Sequence, residues 1–331
     1  MTPPIPLRPL GHSDIAASAI ALGTWAMGGW MWGGHDDEAS IAAIRASLDK
    51  GVTLIDTAPA YGLGRAEALV GQAVKGRRHE VVIATKCGLN WHHGKGNHFF
   101  DEMDHKVHRY LGRDGILHEI EQSLERLKTD YIDLYITHWQ DPTTPIAETM
   151  DTLLELKRAG KIRAIGVSNV SADDLTAYLA AGPVDAIQER YSMLDREIET
   201  SLLPICLANG VSTLSYSSLA LGLLTGKIGP ERDFAGDDLR KDNPRFSRDN
   251  RARVADFAAA VAPIASAHGA TIAQLVIAWT IAQPGITYAL CGARDEKQAS
   301  ENAAAGRLVL SADDLAAIDR AIAAHLAAVT A

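Results

Sequence analysis

Short apolar runs rich in Val, Ile, Leu and Tyr alternate along the chain with amphipathic stretches long enough to form helices. This alternation is typical of βαβ units around a parallel sheet. The predicted strands are residues 20–22, 54–56, 81–85, 132–137, 164–167, 186–188, 212–215 and 288–290. The predicted helices are residues 38–49, 65–74, 115–127, 146–158, 172–180, 201–208, 272–281 and 296–304. Eight such units in this order predict an α/β fold, a closed (β/α)8 TIM barrel.

A doubly wound sheet is the main alternative for this alternation of strands and helices. It is disfavoured because no G-x-G-x-x-G sequence follows any early strand. The chain of 331 residues is long for one average domain, but barrels of this size are common. No linker or internal repeat interrupts the pattern, so residues 1–331 are predicted to form a single barrel domain.

Several segments are additional to the eight strands and eight helices of a minimal barrel. Residues 1–18 hold LGHSD between two short extended runs, which predicts a β-hairpin that plugs the lower end of the barrel. Residues 88–113 and 226–250 are rich in Gly, His and charge with weak periodicity, so they are predicted to be long loops. Helical spacing over residues 254–268 and 312–326 predicts two extra helices toward the C-terminus.

The charge balance argues against a nucleic-acid partner. The chain has 32 Lys and Arg against 41 Asp and Glu, a formal net charge of −9, so its overall field repels polyanions. The opening MTPPIPLRPL lacks the apolar core of a signal peptide, and no run of about eighteen apolar residues offers a membrane span. We therefore expect a soluble, cytoplasmic protein with neither nucleic-acid nor membrane partners, and no feature of the sequence sets its oligomeric state.

Cysteine and histidine spacing gives no reason to expect a metal. Cys87, Cys206 and Cys291 are widely separated and form no C-x-x-C pair, so neither a zinc site nor a disulfide framework is predicted. Five histidines fall at positions 92, 93, 98, 105 and 108, but their spacing matches no zinc pattern. A solvated lid is the simpler interpretation of this segment.

Polar side chains end three of the predicted strands. Asp56 ends TLID, Lys86 ends VVIATK and His138 ends LYITH, while Tyr61 lies shortly after Asp56. The carboxyl ends of parallel strands converge at one mouth of a barrel, so these side chains are expected to meet there. Taken singly, each is more simply a helix cap or half of a surface ion pair. The coincidence of four favours a shared active site.

These four residue types suit carbonyl reduction, in which hydride reaches carbon and a proton must reach the developing alkoxide. Tyr61 is the candidate acid, and a Lys86 ammonium beside it is expected to lower the ordinary phenol pKa of ~10 toward working pH. Asp56 is expected to pair with Lys86, orienting it and keeping it charged in a partly dry pocket. His138 is expected to donate a hydrogen bond to the substrate oxygen and to orient the carbonyl.

Six segments carry a resemblance to a known family. They are LGTW (22–25), GVTLIDTAPAYGLGRAEALVGQAV (51–74), ATKCG (84–88), LKTDYIDLYITHW (127–139), GKIRAIGVSN (160–169) and YSSLALGLLTGK (216–227). In these segments the chain resembles the aldo-keto reductases, and the resemblance covers nearly its whole length. It places the family's four active-site positions on Asp56, Tyr61, Lys86 and His138.

The resemblance also implies an extended nicotinamide dinucleotide bound across the barrel mouth. Ser168, Asn169 and Gln188 match the family's carboxamide-binding positions, and Tyr216 matches the aromatic residue that stacks on nicotinamide. The other residues that match cofactor-binding positions near the nicotinamide and pyrophosphate are Gly23, Thr24, Trp25, Ser217, Leu219, Gly222, Leu224 and Lys227.

The late segment CGARDEKQASEN (291–302) resembles the family's adenosine site. The matching residues are Gly292, Ala293 and Arg294 at the 2′-phosphate, with Gln298, Glu301 and Asn302 around the ribose and adenine. A helix N-terminus near Asp295 favours anions, and Arg supplies a planar fork matched to phosphate oxygens. NADPH is therefore the expected cofactor, in preference to NADH.

Five tryptophans fall near strand ends or in the early loops. They are Trp25, Trp30, Trp32, Trp91 and Trp139. They are candidates for an aromatic wall over the substrate, with packing beneath the loops as the equal alternative.

Three functions remain open from the sequence. The first is NADPH-dependent reduction of a small aldehyde or ketone, and the second is the same chemistry reversed, as a dehydrogenase of a sugar or secondary alcohol. The third is a nucleotide-binding regulatory subunit with little turnover, which the intact set of four residues disfavours. The choice of substrate is expected to depend on loops 26–37, 88–113 and 226–250.

Overall fold

A computed structural model describes residues 4–329, which contain thirteen β-strands. In chain order these are β1 (Leu7–Pro9), β2 (Ala16–Ser18), β3 (Ile20–Gly23), β4 (Leu54–Asp56), β5 (Val82–Cys87), β6 (Leu89–Asn90), β7 (Asn97–Glu102), β8 (His105–Arg109), β9 (Ile132–Thr137), β10 (Ile162–Ser168), β11 (Ala186–Arg190), β12 (Ser212–Tyr216) and β13 (Tyr288–Gly292). Strands β3, β4, β5, β9, β10, β11, β12 and β13 pair in that order, and β13 pairs with β3 to close a parallel barrel. The predicted (β/α)8 barrel is confirmed, and each of its strands overlaps a predicted one.

Helices follow the barrel strands on the outside. In chain order the α-helices among the described residues are α1 (Asp37–Asp49), α2 (Arg65–Ala73), α3 (Arg113–Leu127), α4 (Ile146–Arg158), α5 (Ala172–Ala181), α6 (Ile198–Ser201), α7 (Leu203–Asn209), α8 (Arg248–Ala267), α9 (Ile272–Ala282), α10 (Glu296–Ala305) and α11 (Ala312–Ala321). The helix predicted over residues 201–208 is two short helices. Pro204 in the first turn of α7 has no N–H with which to continue α6, but it suits the start of a new helix.

The two extra helices are confirmed with different ends. Helix α8 begins six residues before the predicted 254, because Ser247 accepts a hydrogen bond from the backbone N–H of Asn250 and caps it there. Helix α11 ends at Ala321, and a single π-helical turn (Ile322–Leu326) follows it directly.

Alternate residues of each barrel strand point into the lumen. The lumen is filled by apolar side chains that include Ala84, Leu134 and Leu214. The residues between them, such as Ile83 and Ile165, pack outward in the core shared with the helices. Successive side chains of a strand point to opposite sides. The residue at a strand end therefore faces the mouth when it lies two or four positions after a residue that points into the lumen.

The hairpin of β1 and β2 closes the lower end of the barrel. Leu10 and Ile15 pack in the same apolar cluster as the lumen side chains. Gly11 has a φ of +55°, and its backbone N–H donates to Oγ of Ser212, at the start of β12, at 2.9 Å. A Cβ on Gly11 would lie 2.2 Å from the carbonyl oxygen of Asp185, so only glycine fits there. The predicted hairpin plug is confirmed, although its first residues, 1–3, lie outside the described part.

The prediction of a loop over residues 88–113 is wrong. Strands β6, β8 and β7 form an antiparallel sheet in that order, which we call the flap (residues 89–109). A bulge between His98 and Phe100 shifts the pairing register. This bulge breaks the two-residue alternation that identifies a strand in a sequence, and the exposed charged residues further obscure the pattern.

Residues 226–243 form the irregular segment that was predicted there, and part of it lies against the loop after β3. The Asp237 carboxylate accepts hydrogen bonds from the backbone N–H groups of Met31, at 3.2 Å, and Gly33, at 3.1 Å. The N–H of Leu239 donates to the carbonyl of Met31 at 3.1 Å. These bonds fix the segment beside the barrel mouth without secondary structure of its own.

Across residues 4–329, no helix taken alone has the length and apolar character to cross a membrane. Helices α8 and α9 meet that criterion only as a pair, and the pair is bent by 85°.

We expect Leu10→Ala to lower the free energy of unfolding by about 2–5 kcal/mol, because it removes a fully buried side chain from the floor of the barrel. Urea unfolding followed by circular dichroism measures the change. The matched control is Leu7→Ala in the same hairpin, since Leu7 is 61% exposed and its truncation should change the free energy by no more than about 0.5 kcal/mol. Equal losses in the two variants would contradict the packing of Leu10 in the lumen.

Candidate active site

Three polar side chains continue the inward-facing series of neighbouring strands. Asp56 on β4, Lys86 on β5 and His138 just after β9 each lie two residues beyond an apolar lumen residue. Strand β5 is hydrogen-bonded to β4 on one side and to β9 on the other. The change from apolar to polar along this series therefore brings the three groups together at the mouth, as the sequence predicts.

Lys86 is fully buried, and its ammonium group has a partner for each of its hydrogens. Nζ lies 2.9 Å from both carboxylate oxygens of Asp56, 2.9 Å from the carbonyl oxygen of Thr57 and 3.1 Å from the hydroxyl of Tyr61. Burial disfavours the ammonium, but the charge of Asp56 and the bonds to Asp56 and Tyr61 outweigh it and raise the pKa of Lys86. Gln188 donates to Oδ1 of Asp56 at 2.7 Å and holds that carboxylate in place.

Tyr61 reaches the site from the turn between β4 and α2. Gly62 has a φ of +65°, and a Cβ there would lie 2.4 Å from the carbonyl oxygen of Gly28, so this turn packs against the loop after β3 at backbone distance. The N–H of Ala66 donates to the carbonyl of Tyr61 at 3.2 Å and ties the residue to the first turn of α2. The Tyr61 ring lies edge-on to His138, with 5.8 Å between the ring centroids.

The ammonium of Lys86 lowers the pKa of Tyr61 in the predicted direction, but the expected net shift toward working pH is not found. Burial raises the pKa of Tyr61 to about 12; the ammonium of Lys86 acts to lower it, and the charge of Asp56 raises it again. A buried phenolate loses more hydration than one paired ammonium restores. Tyr61 is therefore protonated at neutral pH. Its oxygen accepts from Lys86, and no acceptor for its own hydrogen lies among residues 4–329.

His138 is a neutral imidazole in this site. Burial, together with the positive charge of Lys86, holds its pKa well below the usual 6.5. Its backbone N–H donates to the carbonyl of Cys87 at 2.9 Å, and its carbonyl accepts from Nδ2 of Asn169 at 2.8 Å. A neutral ring retains one N–H, so it is able to donate a hydrogen bond to a ligand oxygen without adding charge.

Ser168, Asn169, Gln188 and Tyr216 form one hydrogen-bonded group beside Lys86. Oγ of Ser168 donates to the carbonyl of Gln188 at 2.6 Å, and the hydroxyl of Tyr216 donates to Oδ1 of Asn169 at 2.8 Å. Nδ2 of Asn169 also lies 3.1 Å from Oγ of Ser168. The structure thus brings together the four residues that the resemblance assigns to the nicotinamide end.

Strained backbone marks this side of the mouth. Asn169 has a φ of +54°, and Ser217, Ala220 and Leu221 after β12 have φ values of +58°, +46° and +56°. Residues other than glycine seldom adopt this region, and such strain is concentrated where proteins hold ligands. The same loop carries the remaining predicted residues Leu219, Gly222, Leu224 and Lys227.

The mouth has no side chains where β3 meets β13. Gly23 and Gly292 are paired in register there. The next residue, Thr24, donates through both its N–H and its Oγ1 to the carbonyl of Asp56, at 3.0 Å each, and Trp25 then begins a short 3₁₀ turn. Bare backbone of this kind lets a ligand approach closely.

Helix α10 begins beside this stretch. The carboxylate of Asp295 accepts from the N–H of Gln298 at 2.8 Å and caps the helix, and the N–H of Arg294 donates to Oε1 of Gln298 at 3.2 Å. Ala293 is buried, whereas the Arg294 side chain is exposed and donates to the carbonyl of Trp32 at 3.1 Å. An exposed guanidinium at a helix N-terminus suits an anionic ligand.

One carboxylate oxygen in α10 lacks a partner. Oε2 of Glu301 accepts from Nζ of Lys227 at 2.7 Å, but Oε1 is buried and unpaired within residues 4–329. Nδ2 of Asn302 donates to the carbonyl of Gly292 at 3.0 Å and holds α10 against β13. A buried unpaired acceptor is unfavourable, and the amino group of an adenine ring would satisfy it.

A hydrophobic cluster, which we call the flap cluster, joins the flap to Ala60 and Trp139, the chain neighbours of Tyr61 and His138. Trp30 stacks on Phe100 and Trp139 packs on Phe99, with ring centroids 5.3 and 5.1 Å apart. The residues of the cluster are Ala60, Leu89, Trp91, Phe99, Phe100, Val107 and Trp139. Sequence reasoning missed Phe99 and Phe100 because it treated the flap as a loop; the adjacent aromatic pair within a polar segment was the available signal.

The other two predicted tryptophans pack on each other. Trp25 and Trp32 meet edge to face with 5.3 Å between the ring centroids, on the side of the mouth near Arg294. They therefore lie on the side of the mouth where α10 begins.

Among residues 4–329, no group of three or more His, Cys, Asp and Glu side chains is arranged to hold a metal ion. Cys87, Cys206 and Cys291 are buried free thiols.

A closed (β/α)8 barrel with polar groups converging at the carboxyl ends of its strands is the architecture of a barrel enzyme. The chain matches the aldo/keto reductase family over residues 19–323. It is 43% identical to the NADH-specific methylglyoxal reductase of Escherichia coli, over 92% of this chain and 95% of that protein. The chain belongs to the aldo/keto reductase family, whose members are oxidoreductases.

Solved structures agree with this assignment. A glycerol dehydrogenase from Gluconobacter oxydans matches with a TM-score of 0.87 and 37% identity, over 97% of this chain and 95% of that one. An aldo-keto reductase from Klebsiella pneumoniae, in complex with NADPH, matches with a TM-score of 0.71 and 32% identity, over 95% and 94% of the two chains.

We expect the ring resonances of His138 to stay unchanged between about pH 5 and pH 8, because burial and Lys86 hold the imidazole neutral. NMR of the ring C–H groups measures this, and His138→Gln assigns the resonances by their loss. In Lys86→Met the positive charge is absent, so the pKa should rise while burial keeps it below the ordinary value. Titration of the wild-type ring within this window would contradict the neutral assignment.

Proposed function

We propose that the chain, acting as one barrel domain, reduces a small aldehyde or ketone to an alcohol with NADPH in a reversible hydride transfer. The observation that carries this proposal is the set of bonds made by Lys86. Its hydrogens are directed to Asp56, Thr57 and Tyr61, so the hydroxyl hydrogen of Tyr61 is left for a substrate at the mouth.

Tyr61 donates the proton to the substrate oxygen. A pKa of about 12 keeps the phenol protonated at neutral pH, and the ammonium 3.1 Å away stabilises the phenolate as the proton leaves. Asp56 keeps Lys86 charged and fixed in position. In the opposite direction the phenolate accepts a proton from an alcohol, so one site serves both reduction and oxidation.

His138 orients the substrate. The centroids of its ring and that of Tyr61 are 5.8 Å apart, and we propose that a substrate oxygen between the two rings receives a hydrogen bond from each. Because the imidazole is neutral, it polarises the carbonyl without competing to protonate it.

The residues at the mouth fit an extended nicotinamide dinucleotide, which supplies the hydride when bound. Support comes from the bare backbone at Gly23 and Gly292 and from the unpaired oxygen of Glu301. The residues that would hold it are Thr24 and Trp25 at the end of β3, Ser168, Asn169, Gln188 and Tyr216 at the nicotinamide, Ser217, Leu219, Gly222, Leu224 and Lys227 at the pyrophosphate, and Ala293, Arg294, Gln298, Glu301 and Asn302 at the adenosine.

Arg294 supports NADPH as the preferred cofactor. Its guanidinium is exposed at the start of α10 and makes one bond to a backbone carbonyl, so it is able to turn toward a 2′-phosphate. The relative from Klebsiella pneumoniae binds NADPH, whereas the relative from Escherichia coli is NADH-specific. We propose NADPH for this chain on the strength of Arg294.

The aromatic side chains of the flap cluster support a small substrate. Phe99 packs on Trp139, the residue after His138, and Phe100 stacks on Trp30. We propose that these rings enclose the substrate. Methylglyoxal and glycerol, which appear in the names of two relatives, are three-carbon compounds. A compact carbonyl or hydroxycarbonyl compound suits such an enclosure.

We expect Tyr61→Phe to lower kcat at least about 100-fold, because it removes the acid and leaves the fold intact. NADPH consumption with a panel of small aldehydes and ketones measures this. The matched control is Tyr131→Phe, in the turn before β9, which should keep wild-type turnover. Unchanged turnover in Tyr61→Phe would remove Tyr61 as the acid. Tight binding of dinucleotide by the wild type with no turnover in either direction would favour a nucleotide-binding regulatory subunit.

We expect Arg294→Ala to weaken NADPH binding about tenfold or more while changing NADH binding less than about twofold, since only NADPH carries the phosphate. Calorimetric titration of both cofactors measures the two dissociation constants. Arg77→Ala is the control, because Arg77 forms surface ion pairs with Asp49 and Glu80 away from the mouth. Equal weakening of both cofactors would contradict the preference for NADPH.

A further inference from the structure

A buried glutamate lies behind the strand that carries Lys86, and the proposed chemistry does not use it. Glu67 on α2 is fully buried. Its Oε1 accepts a hydrogen bond from the hydroxyl of Thr85 at 2.6 Å, and its Oε2 accepts from Nε of Arg126 at 2.7 Å. Each carboxylate oxygen therefore has its own donor, one on β5 and one on α3.

The reacting groups lie next to the parts of α2 and β5 that Glu67 connects: Lys86 is on β5, and Tyr61 is in the turn that leads into α2. Thr85 immediately precedes Lys86, and it points outward because successive residues of a strand alternate. Tyr61 is bonded through its carbonyl to Ala66, the residue before Glu67. Glu67 thus joins the strand that bears the ammonium to the helix that holds the phenol.

We propose that Glu67 is a positioning residue, which sets the separation between the Tyr61 hydroxyl and the Lys86 ammonium by tying α2 to β5. The inference rests on the proposed function, because it presupposes that these two groups act together. Glu67 lies on the helix layer outside the strands, and the proposal gives it a role in a reaction at the barrel mouth.

Stability alone is a weak reason to bury this carboxylate. A buried ion pair is often no more favourable than apolar side chains of the same size, because both ions lose their hydration. What the pair provides is geometry, since charged hydrogen bonds hold their partners at defined distances. A neighbouring glutamate acts on the same strand: Oε2 of Glu119 accepts from the N–H of Gly88 at 2.8 Å, just beyond Lys86.

The distance from Tyr61 to Lys86 controls the ionisation of Tyr61. The charged or titratable groups that face Tyr61 are Lys86, Asp56, His138 and Tyr216, and of these Lys86 is the one that lowers its pKa. A hydrogen bond of 3.1 Å is lost when its atoms separate by about another 0.5 Å. Separation of the two groups therefore raises the pKa of Tyr61.

The test is the pH profile of kcat for alcohol oxidation in Glu67→Gln. In this direction Tyr61 acts as phenolate, and the positive charge of the oxidised cofactor would bring its pKa down from about 12 into the measurable range. The rate therefore rises with pH through that lowered pKa. We expect the rising limb to move upward by about one pH unit and kcat below the limb to fall about tenfold. KM for the alcohol and the dissociation constant of the cofactor should change less than twofold.

Three variants separate positioning from general destabilisation. Thr85→Val removes only the hydroxyl that links β5 to Glu67 and should move the limb in the same direction, whereas Thr85→Ser keeps the hydroxyl and should restore the wild-type profile. Asp133→Asn is the matched control. Its buried carboxylate bonds to the N–H of Ile83 and to Arg78 at the lower end of β5, so its loss should lower stability and leave the limb in place.

An unmoved limb in Glu67→Gln or in Thr85→Val would overturn the proposal, and so would an equal shift in Asp133→Asn. If Glu67→Gln does not fold, Thr85→Val decides alone. Burial raises the pKa of Glu119 to about 8, within the measured pH range. The shift of the rising limb must therefore persist in a Glu119→Gln background, and its disappearance there would also overturn the proposal.

Retained turnover in Tyr61→Phe would end the proposed function itself, whereas an inactive Tyr61→Phe with an unmoved limb in Glu67→Gln would end only the positioning role.

Discussion

The buried ammonium of Lys86 is the interaction on which the rest of the site depends. An unpaired charge at this depth is unfavourable by several kcal/mol, so the group stays charged only while its partners remain in place. Asp56, Thr57 and Tyr61 each accept one of its bonds. They lie on a strand end and the segment that follows it, so one contiguous piece of chain surrounds the charge. All of these partners are groups of the chain itself, and electrostatic catalysis depends on polar groups that are fixed in this way.

The barrel produces this arrangement because the inward-facing positions of neighbouring strands are aligned. In neighbouring parallel strands the inward residues lie side by side, so an apolar series that ends in a polar residue delivers that residue to the mouth. Asp56, Lys86 and His138 arrive in this way from β4, β5 and β9, and Ser168, Gln188 and Tyr216 do so from the next three strands. The outward residues of the same strands bind the surrounding layer instead. Thr85 donates a hydrogen bond to the carboxylate of Glu67, and Asp133 accepts one from the guanidinium of Arg78.

Much of this was predictable from the sequence because it depends on local periodicity. Strand positions, the polar strand ends and the meeting of Asp56, Lys86 and His138 follow from alternation and from parallel closure. The flap was missed because a bulge at His98 interrupts the alternation. The ionisation of Tyr61 was misjudged because burial depends on the whole fold, which no local pattern contains. The contacts of Asp237 with the loop after β3, and those of Glu67 with Thr85, join distant segments and leave no periodic signal.

The high pKa of Tyr61 has a consequence for the order of events. With a pKa of about 12 the phenol does not lose its proton to solvent at neutral pH, so Tyr61 is held in the form that the proposed reduction needs as its acid. Ionisation becomes favourable only when further positive charge is placed nearby or when negative charge develops on a bound oxygen. Lys86 already has a partner for each of its hydrogens, and His138 is neutral, so neither supplies that additional charge. Under the proposed function that charge comes from what binds at the mouth, and proton release from Tyr61 is then coupled to occupancy of the site.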